Sequence, residues 1–414
     1  MTKSTSPGAS MRYSGPPTPQ ALAARLGVPL ERICKLDANE SPYGPPPAAL
    51  AALSSLGQVA QALLGAGRYP DPSASELRTA LAGYAGVAAE RIVVGNGSDE
   101  LIHLLVEPLL GTGDEVVVAE PTFSLYALAS RRRGAAVVDA GCERDFTVTP
   151  ERITSAMTAR TRLVFLCSPN NPTGAPLPRE TLAAALEWAE ALGGGRDADG
   201  GPLVLVDEAY YEIGALTDAP EAWTAAPLVQ DHPRLVVLRT FSKLYGLAGL
   251  RVGYALCSPE LAERLRALKQ PYNVNVAGQV AARAALDETA WLRERAAALV
   301  AERERLARAL GAFGQLRVFP SSANFLLVEV LAPDPSASLG SRTAQSSSLA
   351  AARWLWEALL DWGVMVRRFT DARLASYLRV SVGTPEHNGQ LLTALREILG
   401  SGGNNVATGG GGDG

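Results

Sequence analysis

The stretch RLVVLRTFSKLYGLAGLRVGYALC (234–257) contains two strand-like apolar runs joined by a glycine-rich turn. The runs RLVVLRT (234–240) and LRVGYALC (250–257) are rich in aliphatic and β-branched residues without clean polar alternation, which is typical of strands covered on both faces. Lys243 lies in the turn, directly after Ser242, and Arg251 follows at the start of the second run. The stretch therefore predicts two buried strands with cationic side chains at their junction.

Runs of the same kind recur towards the N-terminus, and helical periodicity fills the intervals between them. The segment RETLAAALEWAEAL (179–192) is one such helical interval. Apolar strands that alternate with amphipathic helices are typical of a mostly parallel sheet covered by helices. The runs are RIVVG (91–95), EVVVA (115–119), RLVFLC (162–167) and LVLVD (203–207).

The pattern changes after about residue 259. A long helical region, 262–313 with one break, precedes three strand-like runs, and a helix over 391–399 closes the pattern. This order predicts a second, smaller α+β domain. The three runs are FLLVEV (325–330), VMVRR (364–368) and YLRVSVG (377–383).

The domain organisation predicted from these patterns is discontinuous. We expect a large domain over 66–260, and a small domain built from 1–65, which has no sheet pattern of its own, and 261–400. Residues 1–20 are expected to form an N-terminal arm, and the Gly/Asn-rich tail 401–414 is expected to be disordered because it cannot bury enough apolar surface. Surface loops are predicted at 193–201 and 332–348, where Gly, Ser and Pro accumulate.

The composition excludes several classes of function. With 38 Lys+Arg against 42 Asp+Glu in 414 residues, the chain has no basic field for nucleic acid. The four cysteines form no CxxC pair and the three histidines are isolated, so no metal site is expected. Neither an apolar leader nor an apolar run long enough to span a membrane is present, which indicates a cytoplasmic protein that acts on small molecules.

The turn after the first quoted strand has the composition of a covalent cofactor site. A lysine that is buried beside other cations can lose its proton and form a Schiff base, which makes Lys243 a candidate. Ser242 and Arg251 could hold a phosphate, the guanidinium as a bidentate fork. An ordinary turn with a surface lysine fits these residues about equally well.

Two further strand ends carry polar candidates. Asp207 ends the run LVLVD, where a buried carboxylate needs a cation such as a protonated pyridine nitrogen, unless it only caps the next turn. Tyr210 could then donate a hydrogen bond to a ring oxygen. Asn171 lies in the turn SPNNPTG (168–174) after another strand.

A fourth candidate is the glycine-rich loop of VVGNGSDELIHLL (93–105), which follows a strand and opens a helix. The main-chain N–H groups of Gly97, Ser98 and Asp99 and the helix dipole would form a cradle for an anion. One glycine-rich loop is weak evidence alone, but here it accompanies three other candidate strand ends.

Three of these motifs in this order resemble the fold-type I aminotransferases that use pyridoxal 5′-phosphate: SPNNPTG (168–174), VDEAY (206–210) and TFSKLYGLAGLRVG (240–253). The resemblance covers about residues 12–400 and implies a large domain with a mostly parallel seven-stranded sheet, a smaller α+β domain and a homodimer. Other segments are similar to the histidinol-phosphate aminotransferase subfamily. They are LDANESPYGPP (36–46), GRYPDPSASELRTALAGYAGV (67–87), VVGNGSDELI (93–102), EPTFSLY (120–126), PYNVN (271–275), ANFLLVEV (323–330) and LRVSVGTPEHN (378–388).

The resemblance implies a role for each matching residue. Lys243 would form the Schiff base and later move the proton, Asp207 would pair with the pyridine N–H, and Asn171 and Tyr210 would bond the ring oxygen. Phe123 would stack on the ring, where the family often has Tyr. The phosphate would be held by Ser98, Asp99, Ser242 and Arg251, and by Tyr69 of the neighbouring subunit.

For the substrate, the resemblance implies that Arg379 clamps the carboxylate of glutamate or 2-oxoglutarate. Arg367 matches a phosphate-binding arginine, although a solvated charge beside Arg368 would look the same. The N-terminal arm would add Tyr13, or Gln20 in an alternative register.

The implied reaction is transamination between L-histidinol phosphate and 2-oxoglutarate in histidine biosynthesis. A phenylalanine or tyrosine transaminase and a threonine-phosphate decarboxylase remain alternatives, because they share the cofactor residues. A DNA-binding regulator built on the same cofactor domain is disfavoured, because residues 1–60 are too short and Pro-rich for a helix-turn-helix module.

Overall fold

The computed structural model describes residues 17–58, 67–193, 201–217, 223–331 and 344–400. The strands are β1 Cys34–Leu36, β2 Ile92–Gly95, β3 Glu115–Val118, β4 Ala136–Asp139, β5 Thr161–Cys167, β6 Leu203–Asp207, β7 Leu235–Thr240, β8 Gly253–Leu256, β9 Leu316–Val318, β10 Phe325–Val330, β11 Val364–Arg368 and β12 Tyr377–Ser381. The α-helices are α1 Pro19–Leu26, α2 Pro47–Gln58, α3 Ser75–Ala85, α4 Ser98–Leu109, α5 Leu125–Arg132, α6 Pro150–Ala156, α7 Arg179–Gly193, α8 Tyr211–Ala215, α9 Pro259–Leu268, α10 Val276–Ala285, α11 Thr289–Gly311, α12 Ala344–Asp361 and α13 Pro385–Gly400. Short 3-10 turns occur at Leu30–Arg32, Ala89–Arg91, Ala226–Gln230 and Ala248–Leu250.

The larger of two compact units, residues 40–301 and 319–324, contains a seven-stranded sheet in the order β2-β8-β7-β6-β5-β3-β4. β8 runs antiparallel to both of its neighbours, and the other pairings are parallel. Every residue of the central strands β6 and β7 is buried, as their continuous apolar runs predict. The predicted mostly parallel, seven-stranded sheet is confirmed.

The sheet positions the candidate site through the register of its central strands. Cys167, the last residue of β5, lies opposite Asp207, the last residue of β6, and Asp207 lies opposite Leu238 of β7. Parallel neighbours bring their carboxyl ends to one edge, and ligands bind at such an edge in open α/β sheets. The loops after β5, β6 and β7 therefore begin side by side.

The smaller unit, described over residues 17–39, 302–318, 325–331 and 344–400, is built on a five-stranded sheet in the order β1-β11-β12-β10-β9. β1 is parallel to β11, whereas the other pairings are antiparallel. The core on this sheet includes Leu36, Val328, Leu359, Val380 and Leu392. This is the α+β pattern expected for the second half of the chain.

The division between the units differs from the predicted boundaries. Residues 40–58 and 261–301 belong to the larger unit, whereas the sequence placed them in the small domain. The reason is that α2 packs on α10, and α9 packs on β2, so these helices complete the larger unit. Residues 17–39 do stay with the C-terminal part.

Local differences have simple causes. The predicted helical region 262–313 has two interruptions rather than one, after Leu268 and after Ala285. β1, β4 and β9 were not predicted, because β1 and β9 are only three residues long and no residue of β4 is fully buried. Residues 344–348 begin α12, although they were assigned to the loop 332–348.

Other predicted features lie outside the described residues. These are most of the loop at 193–201, most of the 332–348 segment, most of the N-terminal arm and the tail 401–414. Among the helices that the structure describes, none combines the length and apolar character of a transmembrane span.

Candidate active site

Asp207 is a deeply buried candidate, with 4% of its surface exposed at the end of β6. Its Oδ2 accepts a hydrogen bond of 2.6 Å from the Tyr126 hydroxyl, and its Oδ1 accepts one of 3.1 Å from the Ala209 N–H. Burial raises the pKa of the Asp207 carboxyl to about 6, while these two hydrogen bonds and the charge of Lys243 oppose the shift. A buried carboxylate of this kind attracts a cationic group.

Tyr126 was not predicted as a site residue, although it ends the quoted motif EPTFSLY. It lies in the first turn of α5, is fully buried, and stacks on Phe165 at 4.6 Å between ring centroids. Phe123 meets the edge of Tyr126 at 5.5 Å. Phe123 contacts Tyr126, and Tyr126 contacts Asp207, so one side chain separates the predicted aromatic ring from the buried carboxylate.

Lys243 lies in the loop after β7, and its side chain approaches Tyr210. The ammonium nitrogen Nζ is 5.4 Å from the centroid of the Tyr210 ring, within cation–π range. Tyr210 itself is 3% exposed and directly precedes α8. The loops after β6 and β7 thus bring together the amine and the phenol that the sequence proposed.

Arg251 joins two predicted phosphate-binding segments. Its guanidinium contacts the Asp99 carboxylate at 3.1 Å and donates to Ser242 Oγ at 3.3 Å. Ser242 is further held by Thr240, whose hydroxyl donates to its Oγ and accepts from its N–H. An ionised carboxylate only accepts hydrogen bonds, so the main-chain N–H of Asp99 is the group of this residue that can donate to an anion.

Two glycines allow the close approach of these segments. At Gly97, which has a φ of 81°, an added Cβ would lie 2.5 Å from a guanidinium nitrogen of Arg251. At Gly253 on β8, an added Cβ would lie 2.5 Å from the main-chain nitrogen of Ser98. The first turn of α4 and the Arg251 side chain are therefore packed against backbone at positions where only glycine fits.

Asn171 lies in the loop after β5, next to a tightly bonded asparagine. The amide of Asn170 donates to the Pro121 carbonyl at 2.9 Å and to the Thr173 hydroxyl at 2.9 Å, and its Oδ1 accepts from the Thr122 hydroxyl at 2.7 Å. These bonds fix the loop that carries Asn171 to the segment that carries Phe123.

The predicted substrate arginines lie on neighbouring strands of the smaller unit. Arg367 of β11 and Arg379 of β12 are directly opposite each other, so both side chains project from the same face of the sheet. Arg379 is 9% exposed, donates to the main-chain carbonyl of Asp37 at 2.7 Å, and lies over the Phe325 ring at 5.4 Å. Arg368 instead covers Trp356 at 5.2 Å. Like charges placed opposite each other are unfavourable unless an anion joins them.

Comparison with known proteins now identifies the family. Residues 31–395 match the family model of aminotransferases of class I and II. The chain belongs to this family. It is an aminotransferase, and its cofactor is pyridoxal 5′-phosphate.

Relatives of this aminotransferase include histidinol-phosphate aminotransferases of bacteria and plants. The enzyme of Roseiflexus castenholzii is 42% identical over 92% of this chain and 93% of its own length, and the chloroplastic enzyme of Nicotiana plumbaginifolia is 40% identical over 92% and 82%. The crystal structure of the Sinorhizobium meliloti histidinol-phosphate aminotransferase with pyridoxal-5′-phosphate superposes with a TM-score of 0.78, at 28% identity and over 95% and 96% of the two chains.

The residues at the sheet edge suit the cofactor of this aminotransferase. The buried Asp207 carboxylate suits a protonated ring nitrogen, and the primary amine of Lys243 suits an aldehyde. Arg251, Ser242 and the N–H groups at the start of α4 suit a phosphate.

Two predicted contacts are not made within the described chain. Tyr69 is 80% exposed and stacks on Tyr272, with ring centroids 4.5 Å apart. Its predicted ligand belongs to a neighbouring subunit. Tyr13 lies outside the described residues, whereas Gln20, the alternative, is on α1.

Proposed function

We propose that this aminotransferase transfers the amino group between L-histidinol phosphate and 2-oxoglutarate, a step of histidine biosynthesis. The observation that carries the proposal is the 42% identity, over nearly the whole chain, to a histidinol-phosphate aminotransferase. The opposed pair Arg367 and Arg379 supports it, because a phosphorylated substrate supplies an anion that two guanidinium groups can share.

When bound, pyridoxal 5′-phosphate supplies an aldehyde that takes up an amino group and a ring that accepts the electron pair released at the substrate's α-carbon. Asp207 holds the proton on the ring nitrogen, and the Tyr126 hydroxyl keeps Asp207 ionised and oriented. Lys243 would hold the cofactor through its Nζ, and this amine, set free when the substrate's amino group takes its place on the cofactor, would move the proton from the α-carbon.

The remaining cofactor residues orient the ring. Asn171 and Tyr210 donate hydrogen bonds to the ring oxygen, and Phe123 packs on the ring face. Ser98, Asp99 through its N–H, Ser242 and Arg251 bind the phosphate.

Substrates alternate between an amino acid and a phosphorylated amine or ketone, so one site must accept two kinds of anion. Arg379 binds the carboxylate of glutamate or 2-oxoglutarate and, with Arg367, the phosphate of the other substrate pair. Tyr13 adds a hydrogen bond to that phosphate from the N-terminal arm.

The active form is a homodimer of a cytoplasmic enzyme. The exposed ring of Tyr69, in its stack with Tyr272, is a large aromatic surface that an interface would cover. Tyr69 then donates its hydroxyl to the cofactor phosphate in the neighbouring subunit.

A comparison of amino donors tests the proposed substrate. With 2-oxoglutarate as acceptor, we expect kcat/KM for L-histidinol phosphate to exceed that for L-phenylalanine and L-tyrosine by at least about a hundredfold, because the aromatic amino acids leave Arg367 without its anion. A higher value for either aromatic amino acid would reject the proposal. Release of CO₂ from L-threonine phosphate would instead identify a decarboxylase.

Mixed dimers test the proposed interface. Lys243→Ala and Tyr69→Phe chains are each expected to be weakly active, and refolding them together should restore a fraction of activity, because one site of each mixed dimer has both residues. A monomer in sedimentation at micromolar concentration, or no recovery on mixing, would contradict the dimer.

A further inference from the structure

A buried cluster of charges lies in the larger unit, and the proposed chemistry does not use it. It consists of Arg239, Glu208 and Glu212, and we call it the Arg239 cluster. The three residues are 3%, 1% and 2% exposed. Burial of charged groups is costly unless they are paired, so the arrangement of this cluster requires an explanation.

Arg239 and Glu208 form a buried ion pair, and further hydrogen bonds hold both side chains. The guanidinium Nε of Arg239 donates to Glu208 Oε2 at 2.9 Å, another of its nitrogens donates to the Thr224 hydroxyl at 2.6 Å, and its plane covers the Tyr211 ring at 4.2 Å. Glu208 also accepts from the Thr224 hydroxyl and from the Ala225 N–H at 2.6 Å. One positive charge is thus matched by one negative charge.

Glu212 is the second carboxyl group beside the same guanidinium, and it differs from Glu208. Its Oε1 is buried without a hydrogen-bond partner. Burial raises the pKa of Glu212 to about 7; the charge of Arg239 opposes the shift and that of Glu208 adds to it. The charged and titratable groups that interact with Glu212 are Arg239 of β7, Glu208 after β6, Tyr84 of α3, Tyr245 in the loop after β7, Tyr254 of β8 and Tyr211 of α8.

Glu208 and Arg239 of the cluster are close in sequence to the candidate catalytic residues. Glu208 directly follows Asp207, and Arg239 precedes Thr240, which holds Ser242 beside Lys243. Adjacent strand residues point to opposite faces, so Arg239 lies on the face opposite to Thr240. Tyr245, two residues after Lys243, packs on Phe241 at 4.6 Å between ring centroids and faces Glu212.

We infer that the Arg239 cluster positions Asp207 and Lys243 from the opposite face of the sheet, and that Glu212 belongs to it as a neutral carboxylic acid. The Arg239–Glu208 pair joins the end of β6 to β7 and so fixes where the loops with the two catalytic candidates begin. Glu212 fills the space beside the pair without adding a second negative charge. The inference rests on the proposed cofactor roles of Asp207 and Lys243.

The protonation of Glu212 is tested on the holoenzyme by Glu212→Gln, because the amide has the shape of the neutral acid. Isotope-edited infrared spectra at about pH 5.5, where a group with a pKa of about 7 is almost fully protonated, should contain a protonated carboxyl band that this variant lacks. The pKa of Glu212 is raised above its ordinary 4.5, so its contribution to stability is complete below pH 4.5 and is lost as the pH rises to about 7. The melting temperature of the wild type relative to Glu212→Gln should therefore fall across this window.

Positioning is tested by the double variant Glu208→Gln with Arg239→Met, which leaves no unpaired buried charge. We expect the affinity for pyridoxal 5′-phosphate to fall about tenfold and the midpoint of the pH titration of the bound cofactor's visible absorbance to shift by about one pH unit. Glu212→Gln should leave both quantities within about twofold and a few tenths of a unit. Arg283→Met is the control, because it breaks an exposed ion pair between Arg283 of α10 and Asp287. It should change neither the cofactor affinity nor the titration midpoint.

Each outcome bears on the inference. If Glu212→Gln lacks no infrared band, or shifts the cofactor titration as the double variant does, Glu212 is ionised in the folded enzyme and the inference is wrong. If the double variant lowers only the melting temperature, the cluster is structural and positions nothing. None of these readouts uses an amino donor, so a failure of the proposed substrate would be recognised separately.

Discussion

Arg251 in the larger unit and Arg379 in the smaller unit are both candidates for anion binding, but their surroundings differ. The guanidinium of Arg251 is paired with a carboxylate, that of Asp99, and with the Ser242 hydroxyl. Arg379 meets a neutral main-chain carbonyl and lies opposite another arginine, Arg367. The candidate cofactor-binding cation is thus held by side chains, whereas the candidate substrate-binding cation is held by the backbone and lies beside a second arginine that could share an anion with it.

The largest effect should come from the larger unit. Replacing Lys243 by Ala removes the amine that binds the cofactor covalently and moves the proton, so kcat should fall by at least about a thousandfold. The absorbance band of the covalently bound cofactor should disappear as well. Lys243→Arg is the matched variant, since it keeps the charge and lacks the primary amine; turnover close to that of the wild type in either protein would exclude the proposed role.

The next effect should come from Asp207 and its hydrogen-bond donor. Asp207→Asn should lower kcat/KM by about a hundredfold or more, because the ring nitrogen loses the group that keeps it protonated. Its carboxyl has a pKa of about 6 in the cofactor-free chain, so the affinity for pyridoxal 5′-phosphate should fall as the pH drops below 6. Tyr126→Phe removes a hydrogen bond to the charged form and should move this fall upwards by about one pH unit. An unchanged pH profile would show that Tyr126 does not set the ionisation of Asp207.

The arginines of the smaller unit should separate the two kinds of substrate. Arg367→Ala should raise KM for L-histidinol phosphate about tenfold and leave KM for glutamate nearly unchanged, whereas Arg379→Ala should raise both. Arg368→Ala is the control on the same strand. Equal effects of Arg367→Ala on both substrates would remove the distinction between the two arginines.

The smallest effect on turnover should come from a change in packing in the larger unit. Gly253→Ala places a methyl group 2.5 Å from the Ser98 nitrogen, and we expect it to cost about 1–3 kcal/mol and to weaken cofactor binding. Gly249→Ala is the matched control, because nothing lies within 4 Å of its added Cβ. Thermal unfolding and cofactor titration of the two variants measure the difference. Similar behaviour of both would mean that the α4 cradle can shift without loss.

The features that the sequence predicted well are those that local pattern controls. β5, β6 and β7 are buried on both faces, so each is a continuous apolar run, and Asp207 and Lys243 could be placed at the ends of two of them. Helices α2 and α10 lie in the larger compact unit rather than with the segments predicted for the small domain, because helical periodicity does not say which surface a helix covers.

Features that depend on distant contacts were missed. Tyr126 acts through a hydrogen bond to a residue 81 positions away, and nothing in EPTFSLY distinguishes its hydroxyl from that of any buried tyrosine. The contact between Arg379 and Asp37 uses a main-chain carbonyl, which every residue has. The Arg239 cluster was not predicted from the sequence for a similar reason, since only the fold brings Arg239 to Glu208 and Glu212.

The antiparallel strand β8 also determines when the edge of the larger sheet can form during synthesis. β2 is at the edge of the sheet, and β8 is the strand to which it pairs. β2 and the start of α4 leave the ribosome early, but β8 follows only after β3 to β7 have been made. The start of α4 is therefore made long before Ser242 and Arg251, which complete the phosphate cradle with it, so a nascent chain cannot hold the cofactor phosphate in full until the β7–β8 hairpin has emerged.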